Sequence, residues 1–422
     1  MKKILIAGLF AVAIAATADE APIYVESLAQ RLKLSGLLQV DSRTFFEDQV
    51  RPQANTIVPR RGRLLIDADL GPKAKLRFQT DLVTGLVVDA YGELKLLPWA
   101  TLRAGLFKTP LSLERWRSDP ARDFVELGYT TDMVTDRDTG AWLELADADQ
   151  ALFVGAGVFN GSVDNTAVVT ADTDDDKDVV AKVFTHPFRF WTLPSLRNLG
   201  LGVAFSSGNR GFGTAPSAAN QFRPTGQGSG FYALSTGTAV ADGVQQRVVP
   251  QAYGYFGSLS FLGEYVRDSL VYRLPNLVTL SPIAVNNEAW QAQVGWVLTG
   301  EDSAFGGLKL NPASHPWGAL QILGRLQSLN FDQESFYRYD AAGTAASSGP
   351  AQGKLVDPRV SPSSLQAWGV GLNYLPMNNV KCLLDWEETH YTDGAKTGTG
   401  TATRTANRET EKVLLARVQY SF

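Results

Sequence analysis

The chain has 422 residues, 44% hydrophobic and 19% charged, with 39 glycines and a formal net charge of -4. Charge falls below the ~25% of an average soluble protein, yet past the first 20 residues no uncharged apolar run approaches the ~18 residues of a membrane helix, so a polytopic helical membrane protein is excluded. One cysteine excludes a disulfide framework and a Cys-based zinc site, and three widely spaced histidines exclude most His-metal chemistry, so no cofactor is expected.

The first segment reads as an address. Lys2 and Lys3 precede an apolar run from Ile4 to Ala16, and Ala16-Thr17-Ala18 forms an A-x-A cleavage site. That order predicts a bacterial secretory leader over residues 1–18 rather than a buried helix. No cysteine sits at the cleavage site, so a lipoprotein anchor is not expected. Without the two lysines the exported chain, 19–422, has a formal charge of -6.

From there the hydropathy alternates in period two, the signature of half-buried strands. Leu32, Leu34, Gly36, Leu38 and Val40 alternate with Lys33, Ser35, Leu37, Gln39 and Asp41. Val88, Ala90, Gly92 and Leu94 form the apolar face of another segment, and Trp290, Ala292, Val294, Trp296 and Leu298 of a third. Sixteen such segments start near 31, 61, 73, 86, 100, 138, 150, 178, 199, 250, 259, 287, 317, 364, 379 and 411.

The connections alternate as well. Short turns follow strands 2, 4, 6, 10 and 14, such as Gly71-Pro72 and Gly257-Ser258. Long polar loops follow most odd strands, near 108–137, 159–177, 207–249, 269–286, 329–363 and 391–410. Segments near 187–198 and 300–316 break the rule by being long on the short-turn side, and the loop near 83–85 by being short on the long-loop side. The chain ends in a strand whose last residue is Phe422. Trp99, Trp142, Trp191, Trp317, Phe184, Phe188, Tyr374 and Tyr420 fall near predicted strand ends on the turn side, where an interfacial girdle belongs. A sheet in lipid must pair all its backbone groups internally, so it must close. The predicted fold is all-β: one 16-stranded antiparallel transmembrane β-barrel, with short periplasmic turns and long extracellular loops.

These residues resemble the phosphate-selective porin O/P family. Pro59-Arg60-Arg61-Gly62-Arg63-Leu64 is similar to its F-R-R-A-x-L strand, and Val88-Asp89-Ala90-Tyr91 to its D-A-Y segment. Gly105-Leu106-Phe107-Lys108-Thr109-Pro110 is similar to G-Q-F-K-x-P, and Asp136-Arg137-Asp138-Thr139-Gly140 to R-D-x-G. Gly295-Trp296-Val297-Leu298-Thr299-Gly300-Glu301 resembles Y/W-x-L-T-G-E, and Gly371-Leu372-Asn373-Tyr374 resembles G-x-N-W. The resemblance implies an outer-membrane porin, a homotrimer whose third long loop folds into the lumen, with Asp89 near the constriction.

A pore that passes anions needs fixed cations along its wall. Inward faces near the N-terminus offer Arg61, Arg63, Lys73, Lys75, Arg77, Lys95 and Arg103, with Arg60 at a strand rim and Lys108 where the third loop begins. Over residues 60–108 nine Lys and Arg face five carboxylates, a local excess of four. The candidate pore-lining set is Arg60, Arg61, Arg63, Lys73, Lys75, Arg77, Asp89, Lys108 and Arg115. For any one of them a hydrated wall paired to neighbouring carboxylates is the competing reading; the Arg60/Arg61 pair carries the family motif. The sequence also departs from the family. Leu37 follows Gly36, Val125-Glu126-Leu127-Gly128 lacks the arginine expected after L-E, and the long fifth loop has only Arg210, Arg223 and Arg247. Asp172 to Asp178 resemble the start of a calcium loop, but no glycine turn or closing glutamate follows. The expected function is passive diffusion of small anions, phosphate or polyphosphate among them. A non-selective diffusion porin and a plugged structural or adhesive barrel are the alternatives. Expected partners are outer-membrane lipid and lipopolysaccharide; catalysis and nucleic acid are not expected.

Overall fold

A computed structural model describes residues 23–25, 31–46, 54–162, 164, 175–192, 194–210, 222, 240–274, 282–310, 315–339, 345–346, 353–357, 361–395 and 406–422. The expected leader, 1–18, and Asp172, Asp174 and Arg223 lie outside them.

Sixteen long strands are found. They are β1 (Arg31–Phe46), β2 (Thr56–Asp69), β3 (Ala74–Asp81), β4 (Leu86–Leu97), β5 (Ala100–Lys108), β6 (Arg137–Ala146), β7 (Leu152–Phe159) and β8 (Asp178–Thr185). Then follow β9 (Leu199–Arg210), β10 (Gly243–Phe256), β11 (Leu259–Arg273), β12 (Ile283–Val297), β13 (Ala319–Asn330), β14 (Ser364–Met377), β15 (Val380–Thr392) and β16 (Glu411–Ser421). Each pairs antiparallel with the next, and β16 pairs with β1 from Leu37↔Ser421 to Phe46↔Lys412, which closes the barrel. Gly36 and Phe422 exchange two backbone hydrogen bonds of 3.1 Å at this seam. The short segment Ile23–Val25 pairs with β1 beyond the point where β16 ends.

Three strands start earlier than the alternation predicted: β2 at Thr56, β10 at Gly243 and β12 at Ile283. All three begin on the long-loop side. There the extra residues do not alternate: Ile57-Val58-Pro59 and Ile283-Ala284-Val285 are continuous apolar runs, and Gln245-Gln246-Arg247 is a polar one, so the period of two does not show in the sequence.

The two faces are inverted relative to a soluble protein, as lipid requires. Val294, Trp296, Leu326 and Val418 are exposed on the outside, while Gln291, Gln293, Arg325, Asp385 and Glu387 are buried on the inside. Four register shifts interrupt the pairing; those at Lys95/Leu97 and Tyr374/Met377 lie beside turns, and the other two lie within the wall. Opposite Gln39/Val40 the register jumps from Arg61 to Pro59, leaving Arg60 as the extra residue. Opposite Gln79/Thr80 it jumps from Asp89 to Val87, leaving Val88 extra. A bulge turns two neighbouring side chains to one face. Val88, predicted on the lipid face, is therefore buried inside and lines a lumenal cavity.

Two of the eight predicted girdle aromatics belong to the interior. Trp142 is buried between Gly155 and Phe159, where a side chain on Gly155 would meet the indole at 2.0 Å. Phe184 stacks on Tyr253 with ring centroids 5.1 Å apart. Trp99, Trp191, Trp317, Tyr374 and Tyr420 are exposed near the turn side, in keeping with a girdle.

The segment between β5 and β6, residues 109–136, runs inside the barrel. It holds one short α-helix, α1 (Leu113–Trp116), capped by Ser112, whose side chain accepts from the Arg115 N–H at 3.2 Å, and two 3-10 turns, Asp119–Ala121 and Tyr129–Met133. Its backbone is held by inner-face side chains of the opposite wall. Gln251 of β10 donates to Leu111 O at 2.8 Å, Asn373 of β14 to Asp123 O at 2.9 Å, and Gln419 of β16 to Pro120 O at 3.2 Å. Asp385 of β15 accepts from the Val125 N–H at 2.6 Å, and Gln327 of β13 from the Tyr129 N–H at 3.0 Å.

The long stretch after β12 on the periplasmic side rises to meet this loop. Arg117 Nε donates to Phe305 O at 3.1 Å, Phe305 stacks on Tyr253 at 5.0 Å, and Gly307 packs against Ala121. The two inserts fill the lumen on the β10–β16 side.

Candidate functional site

Three cavities lie against β1–β6, and a smaller one of about 200 Å³ lies between His186, Tyr253 and Phe305. The three, of about 300, 350 and 370 Å³, follow one another along that wall. The extracellular and central ones share Arg63, Asp119 and Arg137. The central and periplasmic ones share Arg77, Tyr91 and Arg103. Together they trace a passage between the N-terminal wall and the inner loop.

The extracellular chamber is lined by six arginines and five carboxylates. Arg60 and Arg61 both reach it, because the bulge turns them to one side. Arg61 donates to Gln39 Oε1 at 2.8 Å. Arg60 pairs with Glu126 of the loop at 2.9 Å, and Arg43 joins the same carboxylate at 3.2 Å. Burial would raise the Glu126 carboxyl, but Arg60 and Arg417 more than offset it and hold it down to about 2. Arg115 turns toward the loop itself, donating to Thr131 O at 2.9 and 2.6 Å.

The narrowing between the extracellular and central chambers is built from two bridges. Arg63 lies between Asp81, at 3.3 Å, and Asp119 of the loop. Arg137 lies between Asp89, at 2.9 Å, and Asp136, at 3.2 Å. Burial pushes Asp119 up, but Arg122, Arg63 and Lys108 hold it well below the usual carboxylate range. Asp119 stays ionised.

The central chamber carries five cations against Asp89 and Asp119. Lys108 Nζ donates to Arg117 O at 2.7 Å and faces the cavity. Arg103 pairs with Glu93 at 2.6 Å, and its guanidinium lies 5.0 Å from the Tyr91 ring centroid, 5.3 Å from Phe107 and 5.9 Å from Trp116. At the periplasmic mouth Lys33 and Lys75 join Arg31, Arg77 and Arg103 against three carboxylates. Arg77 is held by both oxygens of Asp67, at 2.6 and 3.1 Å.

Eight of the nine predicted residues thus meet the passage. Lys73 does not: it lies in the Gly71–Lys73 turn before β3 and lines none of these cavities. Arg247, predicted in the fifth loop, sits inside β10, buried against Asp164 at 2.6 Å, and Arg210 pairs with Asp178 at 2.7 Å. Arg103, read from the sequence as inward-facing, lines the passage too, and so do residues outside the predicted set: Arg137, Arg122, Lys33 and Asp119. Arg137 stands in the R-D-x-G motif and Lys33 in the alternation of β1. Asp119 carried no local signal, because its role comes from where the loop crosses.

A closed sixteen-strand barrel with an apolar exterior, an internal loop and a charged passage defines an outer-membrane diffusion channel. The chain belongs to the phosphate-selective porin O and P family, whose model matches residues 60–422. It is an outer-membrane channel for small solutes, and its place is the bacterial outer membrane. No curated protein matches the sequence. Among solved structures the outer membrane channel DcaP of Acinetobacter baumannii is similar at TM-score 0.58 and 10% identity, covering 96% of this chain and 100% of that one. OmpT of Vibrio cholerae is similar at TM-score 0.54 and 11% identity, over 96% and 100%. The anion-selective porin of Comamonas acidovorans is similar at TM-score 0.52 and 9% identity, over 93% and 99%. At such identities the likeness is one of fold.

Proposed function

We propose that the barrel passes small anions, phosphate among them, by passive diffusion along the β1–β6 wall. The observation that carries this reading is the charge of the passage: cations outnumber carboxylates in each of the three chambers. In a narrow channel such charge raises the local anion concentration and replaces part of the ion's hydration. Arg60, Arg61, Arg63, Arg77, Lys75, Lys108 and Arg115 are the proposed contacts, with Asp89 orienting Arg137. Broad anion preference fits better than strict phosphate capture. Most passage arginines are ion-paired, and the fifth-loop arginines Arg210 and Arg247 are held by Asp178 and Asp164. The assembly we propose is a homotrimer in lipid and lipopolysaccharide, exported through its N-terminal leader.

Single channels in a KCl gradient test the reading. The zero-current potential is expected on the chloride side of zero; a potassium-selective potential would overturn it.

A further inference from the structure

We propose that the central chamber favours small aromatic carboxylates over aliphatic anions of equal charge. This rests on the anion passage above and narrows its substrate class.

Most of the inner loop is buried; of the residues that are not, Trp116, Ser118 and Pro120 line the central chamber. Across the gap stand Tyr91 and Phe107 of the wall. The three rings surround one guanidinium, that of Arg103. Neither neighbouring chamber has this character: apart from Tyr91, shared with the periplasmic one, their linings hold no aromatic ring. Inorganic phosphate makes no use of ring faces. A planar ring does, because it can lie against Tyr91 or Trp116 and beside the flat, weakly hydrated Arg103. The cavity, about 350 Å³, falls in the range of small-ligand sites.

The head group also has a partner. Lys108 Nζ makes one hydrogen bond among the described residues, to Arg117 O, and an ammonium has three donors. A carboxylate at Lys108 leaves its ring among Tyr91, Phe107 and Trp116. A ring with one anionic edge therefore meets both features of the chamber at once.

The test compares benzoate with cyclohexanecarboxylate, which has the same charge and a puckered, non-aromatic ring. Bi-ionic potentials are measured in planar bilayers with potassium chloride on one side and either potassium salt on the other. The benzoate permeability is expected to exceed that of cyclohexanecarboxylate by about two- to fivefold, the ratio a cation–π or stacking contact at a hydrated site supports. In Trp116→Leu and, separately, Tyr91→Leu the ratio is expected to fall toward one. Both anions are read in the same channel, so differences in insertion cancel. Equal permeabilities in the wild type, or an aromatic preference that survives both substitutions, overturn this proposal alone. Potassium selectivity in plain KCl overturns the anion reading and this proposal with it.

Discussion

Arg60 reaches the lumen only because β2 carries an extra residue. Strict alternation would turn one of the adjacent arginines to lipid, at a cost of a few kcal/mol near the midplane. The bulge removes that conflict and delivers two guanidiniums to one chamber. Glu126 then sets how much of that charge an ion meets, because it holds Arg60 and Arg43. Its carboxyl is lowered from 4.5 to about 2, so its contribution to stability is complete above pH 4.5 and is lost as pH falls through about 2. Glu126→Gln is expected to lower the melting temperature in detergent at pH 7, by a difference that shrinks between pH 4.5 and 2. A difference independent of pH would remove Glu126 from the lock. Gly128 is the second residue on which the loop depends. A side chain there would meet Gln291 Oε1 at 2.1 Å and Gln327 Oε1 at 3.0 Å, both on the far wall. Gly128→Val is expected to destabilise the fold by about 1–3 kcal/mol, as overpacking does, and to add open-channel noise as the loop loses its seat. Urea midpoints and single-channel traces check both.

At the scale of elements, two inserts share the work of filling the lumen. The loop between β5 and β6 is fixed by backbone groups, each answered by a side chain of β10–β16. Buried backbone groups need such partners, so the barrel's inner polar residues serve the loop as much as the solute. The periplasmic insert closes the same side from below, through Phe305 and Leu310, whose N–H donates to Asn378 Oδ1 at 2.8 Å. Its length, an exception to the turn rule in the sequence, follows from this task. Removing residues 303–309 is expected to raise single-channel conductance while leaving the sign of the zero-current potential unchanged. An unchanged conductance would mean that the insert does not narrow the lumen.

For the whole molecule, the net charge says little about selectivity. The chain is acidic, with a formal charge of -4, but the passage runs along the strands where nine cations face five carboxylates. Because the charges line a water-filled route, their reach depends on salt. Screening lengths fall from about 10 Å at 0.1 M to about 3 Å at 1 M. The anion preference is expected to weaken over that range, and the zero-current potential at a fixed concentration ratio measures it. A preference constant with salt would point instead to direct binding at the Arg63 and Arg137 bridges.

The architecture was written in the period of the sequence. Alternation gave sixteen strands, and most starts fell within two residues of those found, because each lipid-facing position must be apolar whatever the rest of the chain does. The family motifs likewise marked Arg60, Arg61, Lys108 and Arg137. Only the tertiary structure decided which faces those residues see. Bulges re-aimed Arg60 and Val88, since a register jump leaves no trace in hydropathy. Trp142 and Phe184 entered the interior because glycines and rings on neighbouring strands made room for them. The passage itself depends on where residues 109–136 cross the barrel, and that is set by contacts with strands as far away as β16. A local pattern can specify a wall, because each wall residue answers only to lipid or water. It cannot specify a lumen, where groups such as Val125 N–H and Pro120 O answer to partners more than 250 residues distant.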